Sequence, residues 1–84
     1  MLEKTIILKD FEAVKKFVDI ANEKSYDIEL LSGKYVVNAK SIMGVFSLDL
    51  TKPLVMVAHT DTHVELLRQT AQFEYVQTKK QKII

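Results

Sequence analysis

Apolar residues recur along this chain with two different spacings, and the alternation between them lays out the elements. Lys4-Thr5-Ile6-Ile7-Leu8 is a β-rich run and predicts the first strand. Asp10 follows with only Lys9 between, where a helix N-cap is needed. Beyond it Phe11, Val14, Phe17, Val18 and Ala21 recur at three and four residues, while Lys15, Lys16, Asp19, Asn22 and Glu23 fall elsewhere. That spacing predicts an amphipathic helix from about Phe11 to Lys24 with one buried face. Tyr26-Asp27-Ile28-Glu29-Leu30 alternates and predicts a half-buried second strand. Ser32-Gly33 reads as a two-residue turn, Gly33 supplying a positive φ, and Tyr35-Val36-Val37-Asn38 as the third strand of a hairpin.

The second half follows the same logic. Ser41 through Phe46 predicts a short helical turn, Lys52-Pro53 breaks the chain, and Leu54-Val55-Met56-Val57-Ala58 predicts a largely buried fourth strand. Thr62-His63-Val64-Glu65 fits a capping box, with threonine at the cap and glutamate three residues on. Val64, Leu67, Ala71 and Tyr75 then form the apolar stripe of a last helix, with Phe73 and Val76 beside it. The order β-α-β-β-α-β-α suits an α+β fold, an open-faced two-layer sandwich. A four-stranded antiparallel sheet would carry the helices on one face.

Composition narrows the picture. Eighty-four residues predict one domain over 1–84, burying roughly 60–65% of its unfolded surface. An apolar fraction of 48% is ample for a core, and with two glycines and one proline most of the chain should be regular structure. The absence of cysteine excludes disulfides, thiolate metal sites and a cysteine nucleophile. A net charge of +1 argues against a nucleic-acid partner, which needs a concentrated basic surface. The one basic cluster, Lys79-Lys80-Gln81-Lys82, reads as a solvated helix end. No apolar run approaches the roughly 20 residues of a membrane span, and Met1-Leu2-Glu3-Lys4 lacks a signal-peptide plan. The expectation is a cytoplasmic protein with no membrane partner.

Candidate chemistry concentrates at two helix starts. Ser41 at the head of the short turn is an N-cap whose neighbouring free N–H groups would also receive a phosphate. Ile42, Met43 and Phe46 in that turn either pack inward as core or stand out as an interface. Asp10 and Glu12 give the first helix an acidic start, explained by capping and the helix dipole. His59 and His63 fall on different elements with a cap at Thr62 between them, so even with Asp61 as a third ligand ordinary surface roles are favoured over a metal site. His63 as a phosphoacceptor has suitable local electrostatics and no supporting motif. No nucleophile–base pair, Gly-rich phosphate loop or acid pair is present, so neither an enzyme active site nor a cofactor is expected.

The segment Lys40-Ser41-Ile42-Met43-Gly44 with Ser47-Leu48 resembles the regulatory-serine segment of HPr, the small phosphocarrier of the bacterial sugar phosphotransferase system. Ala21-Asn22, Gly33, Val55 to Ala58 and Asp61 are also similar to that family, and the element order is its order. The resemblance implies the HPr fold, a regulatory phosphorylation at Ser41, and partner docking on Ile42, Met43 and Phe46. The family's phosphoacceptor loop, of the type Gly-x-His-Ala-Arg-Pro, has no counterpart here. Counted back from Ser41, Asp10 stands at the histidine position and Glu12 at the arginine position. The resemblance therefore implies a histidine-less member similar to the Crh type. It would be a non-catalytic interaction module whose partner is a serine kinase or a transcription regulator. The rival is a phosphocarrier with an atypical acceptor.

Overall fold

The computed structural model describes residues 1–75. Four strands, β1 (Leu2–Ile6), β2 (Ile28–Ser32), β3 (Tyr35–Asn38) and β4 (Leu54–Ala58), form one antiparallel sheet in the order β1-β4-β2-β3. Three helices, α1 (Phe11–Asn22), α2 (Ile42–Phe46) and α3 (Val64–Thr70), complete it, with a 3₁₀ turn at Ala71–Phe73. This is the expected α+β architecture and element order.

The register explains which residues meet the helices. Leu54, Met56 and Ala58 of β4 stand opposite Ile6, Lys4 and Leu2 of β1, and Met56 and Ala58 stand opposite Leu30 and Ile28 of β2. Directly paired residues share a face. That face, with Val14, Phe17, Val18 and Ala21 of α1 and Leu66 of α3, forms the core. Phe17 meets Phe73 edge-on at a centroid distance of 5.9 Å, fastening α1 to the 3₁₀ turn. The other face carries a row of Thr5, Val55, Leu31 and Val36, one residue from each strand.

Several boundaries differ from the sequence expectation. The first strand is Leu2–Ile6 and not Lys4 to Leu8, because the ladder with β4 sets its limits. Ile7 leaves that ladder and donates its N–H to the Phe73 carbonyl at 2.8 Å. Helix α1 ends at Asn22, where the Glu23 and Lys24 N–H groups turn inward to the Ile20 and Ala21 carbonyls at 3.1 and 3.2 Å. The second strand is shifted two residues on, to Ile28–Ser32. Since Ser32 pairs with Tyr35, the hairpin turn is Gly33-Lys34, with Gly33 at φ 61°.

The last helix departs most. No capping box forms: the Thr60 hydroxyl receives the Thr62 N–H at 3.0 Å and lies 3.3 Å from the Thr62 hydroxyl, and His63 occupies the cap without a side-chain bond. The buried stripe is Leu66, Thr70 and Phe73, while Val64 and Ala71 face solvent. Thr70 enters the core because its hydroxyl donates to the Leu66 carbonyl at 2.7 Å, which removes the cost of burying it. A polar residue at a core position hid the true stripe. Tyr75 lies outside the helix; Val76 and the Lys79–Lys82 cluster lie outside the described residues. Among the described residues, no helix is long and apolar enough to cross a membrane.

Candidate functional site: two helix starts joined by an aromatic stack

Ser41 caps α2 from an extended backbone, φ −101° and ψ 109°, and its Oγ accepts the Gly44 N–H at 3.1 Å. Gly44 has a local reason to be glycine: a Cβ there would lie 3.2 Å from the Ser41 Oγ. The serine hydroxyl can therefore close over the turn. Ser41 is exposed, no acidic residue occupies the first turn of α2, and the N–H groups of Ile42 and Met43 have no intrahelical partner.

Two side chains fix where this turn begins. Asn22 at the end of α1 donates its amide to the Lys40 carbonyl at 3.1 Å and to its own helix at Val18 at 2.9 Å. Lys40 sends its ammonium to the Lys24 carbonyl at 2.8 Å. The Lys40 charge is thus committed to the carboxyl end of α1, where the dipole favours a cation, and not to Ser41. Lys24 reaches on to Gln69 of α3 at 2.6 Å.

The α1 start has the opposite electrostatic character. Asp10 caps it from φ −153° and ψ 178°, its Oδ1 accepting the Ala13 N–H at 2.9 Å. Glu12 adds a second exposed acid in the first turn. The small cleft beside Asp10, ≈ 240 Å³, is also lined by Lys9 and Lys16.

In and just after the short helix, Val45 and Leu48 fill the core, while Ile42, Met43 and Phe46 are 37%, 78% and 38% exposed. The inward-packing alternative for those three is therefore not what forms. Phe11 joins them. Its ring stacks on Phe46 at 5.4 Å with 14° between planes, and Lys15 Nζ stands 6.0 Å from its centroid. Sequence reasoning placed Phe11 in the α1 core stripe, yet it is 59% exposed. At 100° per residue it lies about 60° round from Val14, beyond Val18 at about 40°, at the rim of the buried arc. That rim position was the available signal. The stack makes the α1 start and the α2 patch one continuous surface.

The two histidines are apart in role. His59 Nε2 lies 3.1 Å from Glu29 Oε1 on the open face of the sheet, and His63 keeps a buried Nδ1 without a hydrogen-bond partner among the described residues. Among those residues, no group of three His, Cys, Asp or Glu side chains is placed to hold a metal.

Comparison with known proteins bears on the fold. No protein-family model matches the chain, and no curated protein matches it. Among solved structures it is similar to HPr-C-His from Thermoanaerobacter tengcongensis, with 29% identity, a TM-score of 0.72, and coverage of 86% of this chain and 89% of that one. It is also similar to the phosphocarrier protein HPr from Bacillus anthracis str. Ames, with 24% identity, a TM-score of 0.68, and coverage of 87% and 96%. The fold is that of the HPr phosphocarriers, and the chain resembles that family over most of its length.

Proposed function

We propose that this chain is an HPr-like protein-interaction module without the phosphoacceptor histidine, docking its partner through the Ser41–Phe46 surface under control of Ser41 phosphorylation. The observation that carries the reading is the state of the α1 start. The Asp10 carboxylate already takes the Ala13 N–H, with Glu12 beside it, so a phosphoryl group there would meet like charge. At α2 the cap is neutral, exposed and free of first-turn acids. A phosphate on Ser41 Oγ would face the free N–H groups of that turn, next to the exposed Ile42, Met43 and Phe46. The module is non-catalytic, works in the cytoplasm, uses no cofactor or metal, and binds neither nucleic acid nor membrane. Its partner is a serine kinase or a transcription regulator.

Treatment with an HPr serine kinase and ATP should raise the intact mass by one phosphate, and Ser41→Ala should abolish the gain. An unchanged mass overturns the regulated form of the proposal. One observation favours the second reading, a phosphocarrier with an atypical acceptor: Lys9 and Lys16 line the same cleft as Asp10. Under that reading, enzyme I with labelled phosphoenolpyruvate leaves acid-labile label on the chain; under the proposed function it leaves none.

A further inference from the structure

The two edges of the sheet are treated differently. At β1 the chain covers the Thr5–Ile7 end of its own edge. Ile7 donates to the Phe73 carbonyl at 2.8 Å, Tyr75 donates to the Thr5 carbonyl at 3.2 Å, and Ile6 and Glu74 form an antiparallel bridge. At β3 nothing among the described residues pairs with the outer side. The Ala39 N–H points to the Ile28 carbonyl of β2, so by alternation Tyr35 and Val37 bond inward and Val36 turns its N–H and C=O outward. Tyr35 and Val36 are 71% and 56% exposed. The strand has no proline, and its nearest charge, Lys34, lies in the turn. Bare edges of this kind template strand pairing.

We propose that β3 pairs with β3 of a second copy of this chain, antiparallel about a two-fold axis through Val36, to make one eight-stranded sheet. Three features fit a second copy. Val36 opposite the partner's Val36 exchanges both outward backbone hydrogen bonds reciprocally and continues the apolar row of Thr5, Val55, Leu31 and Val36 into the partner. That register puts Tyr35 opposite the partner's Val37, on the helix side of the sheet. There a cleft of ≈ 670 Å³ lies between β3 and the segment after α2, lined by the chain's own Tyr35 and by Val37, Ser47, Leu48, Asp49 and Lys52. Each copy thus offers a largely exposed ring and a cleft beside it that a second ring can share. The charges are also complementary. Lys34 comes opposite the partner's Asn38, whose neighbour across the hairpin is Glu29, on the same face. One further strand spacing, about 5 Å, is within reach of a lysine stem.

The contact is one short strand and two rings, below the roughly 1,200 Å² of a stable complex, so the dimer is weak and concentration-dependent. Sedimentation of the full chain from about 10 μM to about 1 mM should show the mass rising from 9.6 kDa toward twice that value. Amide shifts with concentration should centre on residues 34–38 and the cleft. Val36→Lys and Val36→Glu alter an exposed edge position, and each sets like charges opposite each other in the pair. Each alone should stay monomeric across the range, and an equimolar mixture should regain the dimer. A monomeric wild type overturns the proposal and leaves the edge for a foreign strand. So does a dimer that survives Val36→Lys, or a mixture that stays monomeric.

Discussion

The starts of α1 and α2 share one backbone solution and differ in chemistry. Both are capped by a side-chain oxygen that takes an N–H three residues on, at 2.9 Å from Asp10 and at 3.1 Å from Ser41. At α1 the cap is a carboxylate followed by a second acid. At α2 it is a neutral hydroxyl with no acid in the first turn. Any helix start offers free donors and a positive end to an anion. An aspartate fills that offer permanently, whereas a serine leaves it open to a group added later. The comparison separates a structural terminus from one that can be switched, within a single surface joined by Phe11 and Phe46.

The sharpest way to break the comparison is to remove the permanent anion. Asp10→Ala loses the cap and its charge together, so unfolding should cost less by about 1–2 kcal/mol, read as a fall in the thermal midpoint of about 4–8 °C per kcal/mol. Asp10→Asn keeps the cap oxygen and should recover most of that loss, dividing capping from dipole. A next smaller effect tests whether the two starts form one surface. In a double-mutant cycle, Phe11→Ala and Phe46→Ala should couple by about 0.5–1.5 kcal/mol, at the lower end because both rings are partly solvated. Additive losses would dissolve the joint surface.

The smallest effect concerns the α2 cap itself. Gly44→Ala brings a helix-propensity gain of about 1 kcal/mol, but its Cβ would crowd the Ser41 Oγ, so the net change should be near zero. With Ser41→Ala already present, the same change should be stabilising by about 1 kcal/mol, since both crowding and cap are gone. Urea melts of the four chains measure this. Equal effects in the two backgrounds would show that Gly44 does not make room for the serine.

Much of this was legible in the sequence because the signals were local. Asp10 and Ser41 announce caps by residue type and by the apolar turn behind them, and both sit as read. Gly33, Tyr35–Asn38 and Leu54–Ala58 follow from turn chemistry and β-rich runs. Where pairing or packing decided, local pattern failed. The limits of β1 and β2 are set by their partners in the ladder, since a strand extends only as far as something bonds to it. The apolar spacing of the last helix misleads because Thr70 is buried through a bond to its own helix. Thr62 does not cap because its hydroxyl lies against that of Thr60.

By itself the sequence determined the element order, the two caps and the charge of one against the neutrality of the other, because these depend on residue type and on neighbours within one helical turn. Tertiary structure decided which apolar residues at the rims of the helices face out. Phe11 and Phe46, far apart in sequence, become one stack because α1 and α2 dock side by side, with Asn22 and Lys40 holding the end of one to the start of the other. The sheet order likewise left β3 on an outer edge while Phe73–Tyr75 returned to cover the Thr5–Ile7 end of β1. Exposure depends on what covers a position, and that is fixed only when distant segments meet.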